Sequence, residues 1–264
     1  MTTSDVTLSG WALILGASSG FGAATSRALA RAGMNILGIH LDLRSTFHRA
    51  EEVRQAVEAA GRTTMFMNMN AADADKRAIA VEWMRESGIK IKVMLHSLAF
   101  GALKPMIADT REGSLTQKQL EMTLDVMANS LVYWVQDLVW ADLLADDARI
   151  FSMTSEGNQR AMPAYGAVSA AKNALESHTR QLALELAPRN IKINAIQAGV
   201  TDTPALRAIP GSEEMIQATL RRNPYHRLTT PEDIARAIVA FSRPELAWMT
   251  GNIIRVDGAE FISP

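Results

Sequence analysis

The fold is decided by residues 11–22, which read Trp-Ala-Leu-Ile-Leu-Gly-Ala-Ser-Ser-Gly-Phe-Gly. The first five are apolar and predict a buried strand, and a helical pattern follows from Gly20 to Ala32. Between them stand Gly16, Gly20 and Gly22, where a backbone without Cβ atoms can approach a pyrophosphate closely. A strand, a glycine-rich turn and a helix in this order predict the opening unit of a nucleotide-binding fold.

Apolar segments alternate with helical patterns along nearly the whole chain. The predicted strands cover residues 11–15, 35–39, 63–69, 91–95, 148–153, 191–196 and 253–256. The predicted helices cover residues 20–32, 49–60, 73–87, 116–144, 163–186 and 231–241. Strands this apolar, separated by helices, favour a parallel sheet that is covered on both faces. We therefore expect an α/β fold, a single Rossmann-type domain over residues 1–264 with a doubly wound parallel sheet of about seven strands.

Composition excludes several classes of function. The 264 residues include no cysteine, which rules out disulfides, thiolate catalysis and cysteine-based zinc sites. No cluster of His, Asp or Glu has the spacing of metal ligands, and the formal net charge of -1 creates no field that favours nucleic acid or an anionic membrane. The first residues, Met1–Asp5, show no basic region followed by an apolar stretch. We expect a cytoplasmic protein with no metal, no nucleic-acid partner and no membrane partner.

Five motifs resemble the short-chain dehydrogenase/reductase family. The spacing Gly-x-x-x-Gly-x-Gly after the first strand is typical of that family, and the resemblance runs from Leu8 to Ile262. The other four motifs are Asn70-Ala71-Ala72-Asp73, the helix that carries Tyr165 and Lys172, Asn194-Ala195-Ile196-Gln197-Ala198-Gly199, and the run from Thr250 to Gly258. The resemblance implies an oxidoreductase that binds a nicotinamide cofactor.

The motifs of this sequence resemble one branch of the family more than the others. Most members carry a tyrosine four residues before the helix lysine, but that position holds Val168 here, and Tyr165 precedes Lys172 by seven residues. The wider spacing resembles the enoyl-[acyl-carrier-protein] reductases of bacterial fatty-acid synthesis, as do His96-Ser97-Leu98-Ala99-Phe100 and the run from Arg160 to Tyr165. With a glycine loop of the common kind, the combination is similar to the third bacterial type of these enzymes.

This resemblance implies reduction of the C=C bond of a trans-2-enoyl thioester, carried by acyl carrier protein or coenzyme A. Tyr165 would donate a hydrogen bond to the thioester oxygen, where negative charge develops, and Lys172 would hold the nicotinamide ribose. Ser155 either bonds the substrate carbonyl or only ends a strand. Met127 stands where many members have a proton-relay asparagine, which argues against a ketone or 3-oxoacyl reductase. The third hypothesis is a nucleotide-binding regulatory protein that does not catalyse a reaction.

The implied cofactor contacts follow the strand ends. They are Gly16, Ser18, Ser19, Gly20, Phe21, Gly22, His40, Arg44, Asn70, Ala71, Ser97, Lys172, Val200 and Thr203. An acid at the end of the second strand usually binds the adenosine ribose of NAD, but His40 holds that place. His40 and Arg44 would suit a 2′-phosphate, whereas Asp42 would oppose it or pair with Arg44. NADP(H) is favoured and NAD(H) stays open.

Two further expectations concern the substrate and the assembly. Residues 198–224, which we call the covering segment, have mixed signals with Pro and Gly breaks, and irregular loops of this architecture usually cover the substrate. The long helices 116–144 and 163–186 carry more apolar surface than one sheet face can cover. Together with the family resemblance, this predicts a homotetramer.

Overall fold

The computed structural model describes residues 7–264 and contains one parallel sheet of seven strands in the order β3-β2-β1-β4-β5-β6-β7. The strands are β1 (Trp11–Leu15), β2 (Asn35–His40), β3 (Thr64–Asn68), β4 (Ile91–His96), β5 (Leu144–Ser155), β6 (Lys192–Ala198) and β7 (Ile253–Val256). The predicted doubly wound sheet is confirmed. The expectation about Met1–Asp5 lies outside the described residues.

The helices are α1 (Gly20–Arg31), α2 (Phe47–Ala59), α3 (Ala74–Glu86), α4 (Gln117–Leu124), α5 (Ser130–Trp140), α6 (Gly166–Leu186), α7 (Pro204–Arg207), α8 (Ser212–Arg222) and α9 (Pro231–Phe241). Alternate residues of β1 point to opposite faces, as a strand requires. Leu13 and Leu15 join an apolar cluster with α5 and α6, while Ala12 and Ile14 join another with α1 and α9. Both faces of the sheet are therefore covered.

Two helix predictions were too long. The pattern over 116–144 is divided by a π-helical turn at Asp125–Asn129, and the second part ends at Trp140. Asp142 has a φ of 53°, which stops the helix, and β5 begins two residues later. Leu143, Leu144 and Ala145 are apolar and suit the end of a buried helix and the start of a buried strand equally well, so periodicity alone could not place this end.

The other long helix, predicted over 163–186, begins at Gly166. Ala164 has a φ of 59°, and the Tyr165 amide donates to the Met162 carbonyl oxygen at 3.2 Å, so the chain turns before the helix starts. Tyr165 therefore lies at the helix entrance rather than within it. The covering segment, expected as mixed loop, contains α7 and α8.

The chain reverses its direction of winding between β1 and β4, which are neighbours in the sheet. The register pairs Leu15 with His96, so both strands end at the same edge. In open α/β sheets the crevice outside this edge, at the reversal point, is where ligands bind. The glycine loop leaves β1 at this point.

Candidate active site

The glycine loop is shaped by close backbone approaches. Gly16 has a φ of +90°, and a Cβ there would lie 2.5 Å from the Ser97 carbonyl oxygen. A Cβ on Gly22 would lie 2.0 Å from the Gly16 carbonyl oxygen. Ser19 precedes α1 and makes no side-chain bond to the helix terminus, so the first amides of α1 carry no cap from it. This cradle of backbone at a helix N-terminus fits the phosphates of a dinucleotide.

Tyr165 and Ser155 meet at the carboxyl end of β5. The Tyr165 hydroxyl lies 3.3 Å from the Ser155 hydroxyl, and the tyrosine side chain is buried. Burial raises the pKa of Tyr165 above its ordinary value, although the hydrogen bond with Ser155 acts in the opposite direction. The phenol therefore keeps its proton at neutral pH and can donate a hydrogen bond.

Gly157 makes room for the tyrosine ring. The sequence motifs did not predict this role. A Cβ on Gly157 would lie 2.5 Å from Cε1 of Tyr165 and 2.5 Å from Cε of Met162. Any larger residue would displace the phenol from Ser155. The only signal for this role was a glycine two residues after Ser155, in a chain of sixteen glycines.

Lys172 lies on α6 and is buried beneath the end of β5. Its ammonium donates to the Met153 carbonyl oxygen at 2.8 Å. Burial lowers the pKa of Lys172 to about 8, so the side chain is mostly charged at neutral pH. One of its three N–H groups is used by the strand, which orients the others. The structure shows no hydrogen bond between Lys172 and Tyr165.

Two apolar side chains occupy positions where many members of the family that this sequence resembles carry polar groups. Met127 lies in the π-helical turn and Val168 in the first turn of α6, and both are buried. They meet around Gly101, where a Cβ would lie 2.9 Å from Met127 Sδ and 3.1 Å from Val168 Cγ2. Thr123 Cγ2 lies nearer still, at 2.7 Å, but the Thr123 hydroxyl is engaged with the Gln119 carbonyl oxygen at 2.7 Å. Met127 and Val168 themselves can neither donate nor relay a proton.

His96 is a buried neutral residue at the end of β4. Its Nε2 lies 2.8 Å from the Ser130 hydroxyl. Burial, together with the positive charge of Lys172, lowers the pKa of His96 to about 3. The next residue, Ser97, donates its amide to the Leu15 carbonyl oxygen at 3.0 Å and turns its own carbonyl toward Gly16. The backbone here lines the glycine loop.

A carboxylate lies two residues beyond the end of β2. Asp42 Oδ2 lies 2.8 Å from His40 Nδ1, and the two side chains are 8% and 2% exposed. Burial acts against ionisation of Asp42, but hydrogen bonds from Ser18, Thr46 and His40 outweigh it and lower the pKa. From the sequence, Asp42 was expected either to oppose a 2′-phosphate or to pair with Arg44, and the ion pair with Arg44 is not found. Arg44 is exposed and makes no ion pair within residues 7–264.

The remaining predicted contacts lie along the same edge of the sheet. Asn70 accepts from the Ala72 amide at 3.0 Å, and the Ala71 carbonyl accepts from Trp134 Nε1 at 2.8 Å, which anchors the loop after β3. Thr203 caps α7 and lies over the glycine loop, with its Cγ2 at 3.5 Å from a Cβ built on Gly20. These contacts order the loop after β3 and place the start of α7 over the glycine loop.

Comparison with known proteins fits this geometry. Residues 16–258 match the family model described as "Enoyl-(Acyl carrier protein) reductase". This chain belongs to the short-chain dehydrogenase/reductase family. It is therefore an oxidoreductase of that family, with a fold that binds a nicotinamide cofactor.

Curated relatives of this short-chain dehydrogenase/reductase catalyse different reactions. The enoyl-[acyl-carrier-protein] reductase [NADH] FabI of Nostoc sp. is 27% identical over 229 residues, which are 86% of this chain and 85% of the relative. The cis-4-hydroxycyclohexanecarboxylate dehydrogenase of Sinomonas cyclohexanicum is 28% identical, over 94% of each chain. Relatives that act on C=C bonds and on alcohols are thus similarly distant.

The solved structure of the enoyl-[acyl-carrier-protein] reductase (NADH) from Aquifex aeolicus VF5 has the same fold. Its TM-score is 0.82, with 22% identity over 96% of each chain.

Within residues 7–264, no helix is both long and apolar enough to cross a membrane, and no group of three His, Asp or Glu side chains could hold a metal ion.

Proposed function

We propose that this protein reduces the C=C bond of a trans-2-enoyl thioester, borne on acyl carrier protein or coenzyme A, with NADPH favoured over NADH. The observation that carries the proposal is the apolar contact of Met127 and Val168 around Gly101. Ketone reduction needs a proton delivered to oxygen and then replaced, and neither Met127 nor Val168 has a group for either step. Of the Ser155 and Tyr165 hydroxyls at the end of β5, we assign Tyr165 as the donor to the substrate oxygen.

The residues present fit a dinucleotide cofactor. The cradle of Gly16, Gly20 and Gly22 would hold its phosphates, since Cβ atoms at Gly16 and Gly22 would collide with backbone. Lys172 would hold the nicotinamide ribose with the N–H groups that Met153 leaves unused. When bound, the cofactor supplies a hydride, and the protein's task is to orient it toward the substrate.

Tyr165 then acts on the developing negative charge. Hydride addition at the β-carbon of an enoyl thioester places charge on the thioester oxygen, and a hydrogen bond from a positioned hydroxyl stabilises it. Because burial raises the pKa of Tyr165, the phenol is protonated and ready to donate. Ser155, 3.3 Å away, orients the phenol by accepting or donating a hydrogen bond. The proton that completes the product reaches carbon from solvent.

The proposed preference for NADPH rests on the charges after β2. Arg44 is an exposed cation that a 2′-phosphate can approach without first breaking an ion pair. The Asp42 carboxylate, which would repel that phosphate, is engaged by His40 and the Ser18 hydroxyl. The same carboxylate can accept from a ribose 2′-hydroxyl, so NADH remains the alternative cofactor.

A substrate comparison tests the proposed reaction. Oxidation of NADPH is followed with a trans-2-enoyl thioester and with the 3-oxoacyl thioester of the same chain length and carrier. We expect a higher kcat/KM for the enoyl substrate. A higher kcat/KM for the 3-oxoacyl substrate would overturn the proposal and leave the fold unaffected.

One observation favours that second candidate, a 3-oxoacyl or ketone reductase. The Ser155 and Tyr165 hydroxyls form a polar pair that could bind and protonate a carbonyl oxygen. The proposed route for replacing the proton is missing beside Met127, which is why we place this reaction second. A protein that binds NADPH and turns over neither thioester would instead be a nucleotide-binding regulator.

We also propose that the protein works as a homotetramer in the cytoplasm. Trp140 at the end of α5 is 74% exposed and Leu184 on α6 is 72% exposed, so both long helices present large apolar side chains to solvent. A second copy of the chain is the partner that the family resemblance indicates for these helices. Sedimentation at micromolar concentration should give a tetramer, and a monomer would contradict the assembly.

A further inference from the structure

Three charged side chains join the covering segment to the rest of the molecule. Arg222, in the last turn of α8, donates from Nη2 to Glu156 Oε1 at 2.9 Å and to Glu260 Oε1 at 3.2 Å. The Arg222 side chain is 19% exposed, and those of Glu156 and Glu260 are 16% and 1% exposed. We call this group the arginine latch.

One end of the arginine latch touches the candidate catalytic residues. Glu156 directly follows Ser155 and opens the short turn Glu156–Asn158. Gly157, in the same turn, packs against the ring of Tyr165. A shift of Glu156 would therefore move the Ser155 hydroxyl and the support of the phenol together.

The other end holds the loop after β6. Both carboxylate oxygens of Glu260 accept from the Val200 amide at 3.2 Å. Glu260 Oε2 would lie 2.8 Å from a Cβ on Gly199, so the carboxylate reaches this amide only because residue 199 is glycine. Val200, one of the implied cofactor contacts, is thus held in place by Glu260.

Few residues of α8 in the covering segment are buried against the rest of the protein. Only Ile216 and Thr219 are buried among the eleven residues of that helix. Nearer its start, Thr203 lies over Gly20, and Ile209 packs against the apolar cluster that includes Tyr165. The segment therefore touches the glycine loop and the apolar cluster that includes Tyr165. Its far end is held by the arginine latch and by Asn223, whose side-chain amide donates to the Asp257 carbonyl oxygen at 3.1 Å.

The charges of the arginine latch are paired within the protein, so the group joins two parts of the chain and is not a binding site for an anion. Arg222 pairs with Glu156 and Glu260, and Glu156 Oε2 also lies 3.7 Å from Arg160 Nε. Two carboxylates are thus shared by two guanidiniums, so Arg222 has no free charge for a substrate phosphate. Removing one partner of a poorly exposed ion pair leaves an uncompensated charge, which favours opening of the structure that holds it. We propose that Arg222 is a positioning residue that keeps the covering segment closed over the cleft and fixes Ser155 and Val200. The kinetic consequence rests on the proposed function, whereas the closure does not.

Hydrogen exchange tests the closure directly. Arg222→Met keeps an apolar stem and removes the guanidinium, and Arg221→Met makes the same change at an exposed neighbour. We expect amides of residues 199–224 to exchange about tenfold faster in Arg222→Met, with strands β1 and β4 unchanged, because the segment opens locally. Arg221→Met should match the parent protein. Equal exchange in the two variants would overturn the proposal.

Kinetics distinguishes positioning from simple stabilisation. With whichever thioester the parent protein reduces, Arg222→Met should raise KM by about fivefold or more while the Kd for reduced cofactor stays within about twofold. Arg222→Lys, which can reach one carboxylate, should restore part of the loss, and Glu156→Gln should show a smaller change in the same direction. A lower melting temperature with unchanged KM would show a merely structural role and overturn the proposal. If no thioester is reduced, the proposed function fails while hydrogen exchange still decides the closure.

Discussion

Replacing Tyr165 by phenylalanine separates the chemical role of the hydroxyl from its contribution to folding. The ring packs against Gly157, and phenylalanine keeps that packing. The hydroxyl makes one hydrogen bond, to Ser155 at 3.3 Å, which is longer than a typical O–H···O bond. Its loss should lower the free energy of unfolding by about 1 kcal/mol or less. The folded protein should therefore be nearly unchanged.

The rate should respond far more strongly. A hydrogen bond to a developing oxyanion contributes about 3 kcal/mol to transition-state stabilisation, so turnover should fall by about 10² to 10³. Phenylalanine cannot replace the donor. NADPH oxidation with a trans-2-enoyl thioester measures the rate, and fluorescence titration measures the Kd for NADPH, which should stay close to that of the parent.

Tyr225→Phe is the matched control. It removes the same hydroxyl from a side chain that is 73% exposed, and it should leave the rate unchanged. If Tyr165→Phe retained more than about a tenth of the parent turnover, the donor role of Tyr165 would be refuted, because an oxyanion donor contributes more than that. A collapse of both melting temperature and rate would likewise show that the hydroxyl acts through folding.

Three further predictions concern the cofactor. Because burial lowers the pKa of Lys172 to about 8, its charge is present below that pH and is lost as the pH rises through it, so affinity for NADPH should fall above pH 8. Lys172→Met should bind NADPH more weakly at pH 7 and lose this pH dependence; a dependence that persists would assign it to another group. Gly20→Val should abolish cofactor binding in a protein with unchanged circular dichroism, because a β-branched residue is strained at a φ of +49°. Arg44→Ala should raise the KM for NADPH by about tenfold and leave that for NADH unchanged, as expected for loss of one charged contact. Equal effects on both cofactors would exclude Arg44 from 2′-phosphate binding.

Several features of this protein follow from local sequence alone. The strand 11–15 and the strand 253–256 have the predicted bounds, and α9 begins at Pro231 behind the capping residue Thr230, as its sequence indicates. Apolar runs, proline and the glycine spacing act over a few residues, so they can be read without knowing the rest of the chain. The parallel sheet followed from the same kind of information, because strand and helix patterns alternate.

Choices between partners were decided by the tertiary structure. Asp42 could pair with His40 or with Arg44, which are equally near along the chain, and only the packing beside Ser18 selects His40. The end of α5 was also misplaced, because an apolar run suits a buried helix and a buried strand equally well. Local patterns do not contain the three-dimensional neighbours that settle such choices.

The cleft itself depends on contacts between distant parts of the chain. Gly101 brings Met127 and Val168 together, and Glu260 reaches back to the Val200 amide. The sequence by itself determined the residue types that can perform the chemistry and the order of the elements that carry them. Which of those residues meet, which are buried and which keep a charge was decided only by the fold, because hydrogen bonds and desolvation act over a few ångströms in space, whatever the separation along the chain.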